Sequence, residues 1–197
     1  MSPSDQVEER SHLPVRFLWL LRHGKASSDA PRGDVDRPLT ARGRRDATAL
    51  GRRLAAGDGA LGLTGVWLPD VVLGSAAVRT RQTAELVVDA MGQRPLDVYR
   101  SLYGAETATV LQYVRELDDE VASAMVVGHN PTMYQLAWEL LPDDGDGGDT
   151  DGNSDRARLR RHGFPTCSLA VLVLAVSSWE DVTAGSGVLA GVFSPPY

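Results

Sequence analysis

The chain has 197 residues, 43% of them hydrophobic, which is enough to bury one substantial core and does not demand a second. A formal charge of -6 and a pI near 5.2 argue against a protein whose main work is neutralising nucleic-acid phosphates or an anionic membrane surface, so any bound anion is expected in a local pocket. The single cysteine, Cys167, excludes an intramolecular disulfide and a cysteine-rich zinc site, fits a reducing compartment, and reads as a buried small apolar residue.

Residues 1–14 are polar and are expected to form a loose tail ahead of one domain over 15–197. No continuous apolar stretch follows a basic start, and the longest apolar run, Leu169 to Val176, is too short to span a bilayer. A soluble cytoplasmic protein is the expectation. Val15 to Leu21 is short and apolar and leads to Gly24, the pattern of a buried strand. Thr40 then offers an N-cap, and Ala47, Leu50, Gly51 and Leu54 fall on one face of the helix that follows. Pro69 to Gly74 repeats turn signal, apolar run and glycine, and predicts a second buried strand.

A helix over Ala77 to Met91 is predicted with Thr83, Leu86, Val87 and Ala90 inward, and another over Thr107 to Leu117 through Val110, Leu111 and Val114. Ala122 to Val127 reads as a third apolar strand closed by Gly128, with Pro131 opening a helix to about Leu141. Leu169 to Val176 and Val188 to Val192 are late strands. Strands and helices alternating at this spacing predict a three-layer α/β/α sandwich around a mainly parallel sheet.

The segment 143–155, DDGDGGDTDGNSD, is acidic and of low complexity, and is read as a disordered surface insert. Asp149, Asp151 and Asn153 alternate as in a calcium loop. Position six, however, is Ser154 where glycine is needed, and position twelve is Arg160 where glutamate is needed. A basic run, Arg156 to Arg161, follows.

In an α/β sheet ligands collect at the carboxyl ends of the strands, where helix N-termini favour an anion. Three such ends carry Arg22-His23-Gly24, Ser75 to Arg79, and Gly128-His129-Asn130. Nineteen of the twenty basic residues are arginine, so one arginine alone is weak evidence. A histidine after a strand is, by itself, most simply a hydrogen-bonded structural residue. Two histidines and two arginines converging on one cleft would make a phosphate pocket. Neither nucleotide fingerprint fits: there is no G-x-G-x-x-G, and Gly24-Lys25 lacks the upstream glycine of a P-loop because Trp19 occupies that place.

The ordered set LLRHGKA, DRPLTARG at Asp36 to Gly43, SAAVRTRQTAE at Ser75 to Glu85 and VVGHNPTM at Val126 to Met133 resembles the histidine phosphatase superfamily. The short chain, the DRPLT block, the Leu102-Tyr103 pair and FPTCSL look most like the SixA branch, the phosphohistidine phosphatases. The mutase branch usually continues Arg-His-Gly with Glu, Thr and later Asn, where this chain has Lys25, Ala26 and Asp29. The resemblance implies a phosphoglycerate mutase-like fold and a phosphatase without metal or cofactor. His23 would be the nucleophile, Arg22 and Arg79 the phosphate clamp, and His129 the group bonding the phosphoryl from the opposite side. Forked guanidinium donors match phosphate oxygens, and a neutral histidine nitrogen can attack phosphorus.

Arg37 resembles a basic rim residue in SixA-like proteins and reads equally well as a surface arginine in a turn. Lys25, the only lysine, is a substrate contact or a residue that solvates the loop. Glu106 is the positional candidate for proton donor to the leaving group, and reads otherwise as a solvated residue before a helix. An imidazole leaving group, with a conjugate-acid pKa of about 6.5, needs far less proton help than an alkoxide. The expected partner is a phosphorylated small molecule or a phosphohistidine-bearing protein, with no nucleic acid and no membrane. Oligomeric state is not legible. A mutase-like phosphoryl transfer and a phosphate-recognition module without turnover are the alternatives.

Overall fold

Alternation along strand β1 (Arg16–Arg22) sends Leu18 and Leu20 to one face and Phe17, Trp19 and Leu21 to the other, and both sets are buried. A strand apolar on both sides needs a covering layer on each, which is the physical origin of the three-layer architecture. The computed structural model describes residues 15–29, 31, 33–56, 63, 68–143 and 154–197. The expected tail at 1–14 and residues 144–153 of the acidic segment lie outside the described residues. Among the described residues no helix is long and apolar enough to cross a membrane.

Helices α1 (Ala41–Ala55) and α2 (Val78–Met91) cover the Phe17, Trp19 and Leu21 face. Helices α3 (Thr107–Arg115) and α4 (Thr132–Glu139) cover the opposite one. With β2 (Val71–Ser75), β3 (Leu96–Tyr99), β4 (Ser123–Gly128), β5 (Leu169–Leu174) and β6 (Gly187–Phe193), the sheet order is β3-β2-β4-β1-β5-β6. The first four in that order pair in parallel, as the strand and helix alternation requires. β5 joins β1, and β6 joins β5, antiparallel, so the sheet is mixed at this end.

Local differences from the sequence reading have local causes. The strand β3 was not anticipated because its four residues are half-buried or exposed, leaving no apolar run. Helix α5 (Asp155–His162) stands where only a basic run is read, and takes in the last residue of the acidic segment. Its start is specified by Ser154, whose hydroxyl accepts the Ala157 amide at 3.0 Å, and its cationic last turn suits the helix dipole. In α2 the inward face is Thr80, Thr83, Ala84, Val87, Val88 and Met91, while Leu86 and Ala90 are half-buried.

Thr40 caps α1 as its sequence suggests, accepting the Gly43 amide at 3.1 Å, and its hydroxyl also donates to the Lys25 carbonyl at 3.0 Å. The start of α1 thus presses on the loop after β1. A Cβ at Gly43 would lie 2.3 Å from the Lys25 carbonyl oxygen, and one at Gly24 would lie 2.9 Å from the Gly43 oxygen. Both contacts are with backbone, so no side chain can move aside. Gly43→Ala is therefore expected to destabilise the protein by about 1–3 kcal/mol, whereas Arg52→Ala on the exposed side of α1 should stay within about 0.5 kcal/mol of wild type. Urea unfolding of the two variants checks this; a Gly43→Ala protein as stable as wild type would contradict the close packing.

Candidate active site

Parallel register brings the carboxyl ends of three strands level: Arg22 of β1 stands beside Gly128 of β4, and Gly74 of β2 beside Val127. The His23 amide continues this ladder to the Gly128 carbonyl at 3.0 Å. Residues far apart in sequence therefore meet. The His23 and His129 rings lie 5.2 Å apart, and Arg79, in the first turn of α2, reaches both of them.

His23 Nδ1 is 2.7 Å from the carbonyl oxygen of Gly24. A carbonyl can only accept, so the proton sits on Nδ1 and Nε2 keeps its lone pair. Burial, followed by the charges of His129, Arg79 and Arg22, drives the His23 pKa down to about 3, against the opposing pull of the Gly24 bond. His23 is consequently neutral at physiological pH. The Arg79 Nε donates to the His23 Nε2 at 3.3 Å, which aims the guanidinium at the nitrogen that carries the lone pair.

Every nitrogen of Arg79 is engaged: Nη1 donates to the Asp34 carbonyl at 2.6 Å and Nη2 to the Asp34 Oδ2 at 2.9 Å, with His129 Nδ1 at 3.4 Å. Arg79 is only 7% exposed, so the carboxylate of Asp34 is the counter-ion that makes its burial tolerable. Oδ2 of Asp34 also accepts the Tyr103 hydroxyl at 2.9 Å, and Oδ1 accepts Arg37 Nη1 at 2.9 Å. Hydrogen bonds from Arg37 and then Tyr103, with Arg79, hold the Asp34 carboxyl well below the usual carboxylate range. The same bond to Asp34 raises the Tyr103 phenol.

His129 Nε2 lies 2.8 Å from the buried Ser75 hydroxyl and 3.3 Å from that of Thr80. Burial, then Arg79 and Arg22, lowers its pKa to about 4, against the pull of Asp34. Arg22 donates from Nη1 to the Phe164 carbonyl at 2.7 Å, which also accepts the Asn130 amide at 2.9 Å. The Arg22 Nε is buried with no partner among the described residues. Behind it, the Cys167 amide is shared between the Arg22 and His23 carbonyls at 3.1 and 3.0 Å. Cys167 holds a φ of +64° to do so, its carbonyl accepts the Tyr197 hydroxyl, and burial pushes its thiol up to about 12.

Of the expected site residues, Arg22, His23, Arg79 and His129 converge. Arg37 stands at the rim through its bond to Asp34. Lys25 is exposed, and its carbonyl, not its ammonium, serves the architecture. Glu106 is exposed at the N-cap of α3, and among the described residues no hydrogen bond joins it to His23, Arg79 or His129. Sequence reasoning passed over Asp34 and gave Tyr103 no role. Little distinguishes Asp34 locally from Asp29 or Asp36, since apart from Arg37 three residues on its side-chain partners come from α2 and from the turn after β3.

Residues 18–103 match the family model described as the histidine phosphatase superfamily (branch 1). An uncharacterized protein of Mycobacterium tuberculosis is 36% identical over 184 residues, covering 89% of this chain and 99% of its own length. Among solved structures, a protein assigned as the phosphohistidine phosphatase SixA of Nakamurella multipartitia aligns with a TM-score of 0.74 at 32% identity, covering 93% of this chain and 98% of its own. The protein histidine phosphatase SixA complexed with tungstate aligns at 0.67 and 26%, covering 91% and 97%. The chain belongs to the histidine phosphatase superfamily, and within it to the SixA-like branch. Its fold is phosphoglycerate mutase-like: a Plasmodium falciparum phosphoglycerate mutase aligns at a TM-score of 0.56 and 17% identity over 93% of this chain and 96% of its own, a likeness of fold alone.

Two half-buried neutral histidines carry a pH signature. An unfolded histidine titrates near 6.5, whereas His23 and His129 titrate at about 3 and about 4 in the folded chain, so between these values the unfolded state binds more protons. Their contribution to stability is complete above pH 6.5 and is lost as pH falls towards 3. Urea unfolding at pH 7 and pH 5 should show a loss on acidification that is smaller in His23→Asn and smallest in the His23→Asn, His129→Asn double variant. An equal loss in all three proteins would place the titrating groups elsewhere.

Proposed function

We propose that the protein is a metal-independent phosphatase that hydrolyses phosphohistidine, or a phosphate monoester, through a covalent phosphohistidine on His23. The observation that carries this reading is the pairing at His23: Nδ1 bound to the Gly24 carbonyl and Nε2 bound to a buried arginine, beside a second histidine. A neutral imidazole with a fixed tautomer is a nucleophile ready at pH 7, with no proton to remove first. Likeness to the SixA structures supports the same chemistry, since one of them is a protein histidine phosphatase holding tungstate, a tetrahedral oxyanion.

In the proposed reaction the Nε2 lone pair forms the N–P bond while the bond from phosphorus to the leaving atom breaks, its electron pair departing with the leaving group. Arg79 and Arg22 hold equatorial oxygens, where fixed cations stabilise spread negative charge more than they stabilise the ground state. His129, whose ring lies 5.2 Å from that of His23, completes the cradle. Water then attacks the phosphoryl group on His23, releasing orthophosphate and the neutral imidazole. Glu106 is the candidate donor for an alkoxide leaving group; an imidazole needs none.

Incubation with radiolabelled phosphate substrate, quenched at alkaline pH where phosphohistidine survives, should leave label on wild type and none on His23→Ala. Label persisting on the variant would sink the nucleophile assignment. Arg79→Ala should lower kcat/KM by about a hundredfold to a thousandfold, the usual effect of removing one preorganised donor to the transition state. Most of the phosphoryl group should appear as free phosphate; its quantitative return to substrate would instead favour a mutase.

A further inference from the structure

The reading above gives no task to Asp34, the only carboxylate bonded to the clamp among the described residues. It stands on a 3-10 turn, Asp34–Asp36, closed at its base by the bridge between Ala26 and Leu39. His23 and Asp34 meet opposite parts of one guanidinium: Nε of Arg79 bonds His23, while Nη1 and Nη2 bond Asp34. Arg79 therefore spans the distance from nucleophile to carboxylate. A phosphoryl group seated on this guanidinium with phosphorus facing His23 Nε2 has its leaving group on the Asp34 side, because displacement is in line.

Hydrogen-bond accounting says what happens when phosphate oxygens take the Nη donors. Asp34 keeps Arg37 on Oδ1 and Tyr103 on Oδ2, and the lone pair of Oδ2 that Arg79 occupied is released towards the leaving group. Arg37 and Tyr103, the two donors that remain, favour the ionised carboxylate, so it serves as an acceptor and a negative charge and not as a proton donor. The leaving group that such a neighbour favours is one bearing an N–H or a positive charge.

We infer that Asp34 is a specificity-determining residue that selects a protonated imidazole as the leaving group, and so directs the phosphatase proposed above towards phosphohistidine over phosphate esters. In the protonated phosphohistidine ring one nitrogen bears phosphorus and the other bears hydrogen, bonded to Asp34 Oδ2. His23 Nε2 attacks phosphorus, the P–N bond breaks, and its electron pair stays on the departing nitrogen. The ring leaves as neutral imidazole and retains its N–H, so atoms and charge balance with no proton donor. An ester offers Asp34 no such hydrogen.

The test compares wild type, Asp34→Asn and Asp34→Glu on a phosphohistidine-bearing peptide and on p-nitrophenyl phosphate, whose leaving group is an anion. Asp34→Asn is isosteric and half-exposed, and should lower the ratio of kcat/KM for the peptide to kcat/KM for the ester about tenfold to a hundredfold, the loss expected for a charge-assisted hydrogen bond. Asp34→Glu, which keeps the charge, should give a peptide-to-ester ratio between those of wild type and Asp34→Asn. Equal loss on both substrates would reduce Asp34 to a residue that positions Arg79, and equal gain would make it an internal competitor for the clamp; either overturns the inference, as does a ratio in Asp34→Glu no different from that in Asp34→Asn. Wild type that cleaves only the ester overturns it too while leaving the phosphatase standing, whereas turnover of neither substrate removes the proposed function itself.

Discussion

The 2.7 Å contact between His23 Nδ1 and the carbonyl of its own neighbour, Gly24, is the interaction on which the site depends. It is a local bond, two residues long, yet it settles where the imidazole proton resides and hence which nitrogen is left to react. Everything around it works in the same direction. Burial opposes charging the ring, and three cationic or ionisable neighbours, His129, Arg79 and Arg22, oppose it further. The cations and the burial that surround His23 thereby keep its ring neutral without a dedicated base.

Holding that bond in place requires the backbone after β1 to be gripped from several sides. Helix α1 presses in through two glycines whose missing side chains let Gly43 approach Lys25 and Gly24, with Thr40 joined to Lys25. On the other side the Cys167 amide bonds the Arg22 and His23 carbonyls, and the Phe164 carbonyl takes Arg22. Thr83 of α2 accepts the Gly24 amide at 3.0 Å and donates to the Arg79 carbonyl at 2.7 Å, coupling the His23 loop and Arg79 through one hydroxyl. The geometry is thus distributed over β1, α1, α2 and the strand-entry loop of β5. It does not rest on any single ion pair.

The buried positive charge is balanced in an equally specific way. Arg79 would be costly at 7% exposure without an acceptor, and Asp34 supplies both a carboxylate and a carbonyl. That pairing is only partly shielded, since the Asp34 side chain is 50% exposed, so a competing anion can replace it. Arg22 contrasts with Arg79, because its Nε is buried without a partner among the described residues. Arg79 thus carries an exchangeable internal partner, and Arg22 leaves one buried donor unpaired among the described residues.

How much of this was legible follows from the range of each signal. The apolar alternation of β1, the Thr40 cap, the Val110, Leu111 and Val114 face and the glycine-closed strand at Gly128 are patterns within one element, and the sequence by itself determined them together with the three-layer class. It also determined the four residues that converge, because each follows a strand end and α/β topology brings such ends together. Where a signal was weak locally, as in the exposed strand β3 or the arginine-rich α5, the element was missed. Only the tertiary structure decided that β5 turns antiparallel against β1, that Asp34 bonds both Arg79 and Tyr103, and that Lys25 contributes a carbonyl and not its charge. The reason is physical: the periodicity of burial is written into each segment, whereas the partner of a polar atom depends on which other segment packing places within 3 Å of it.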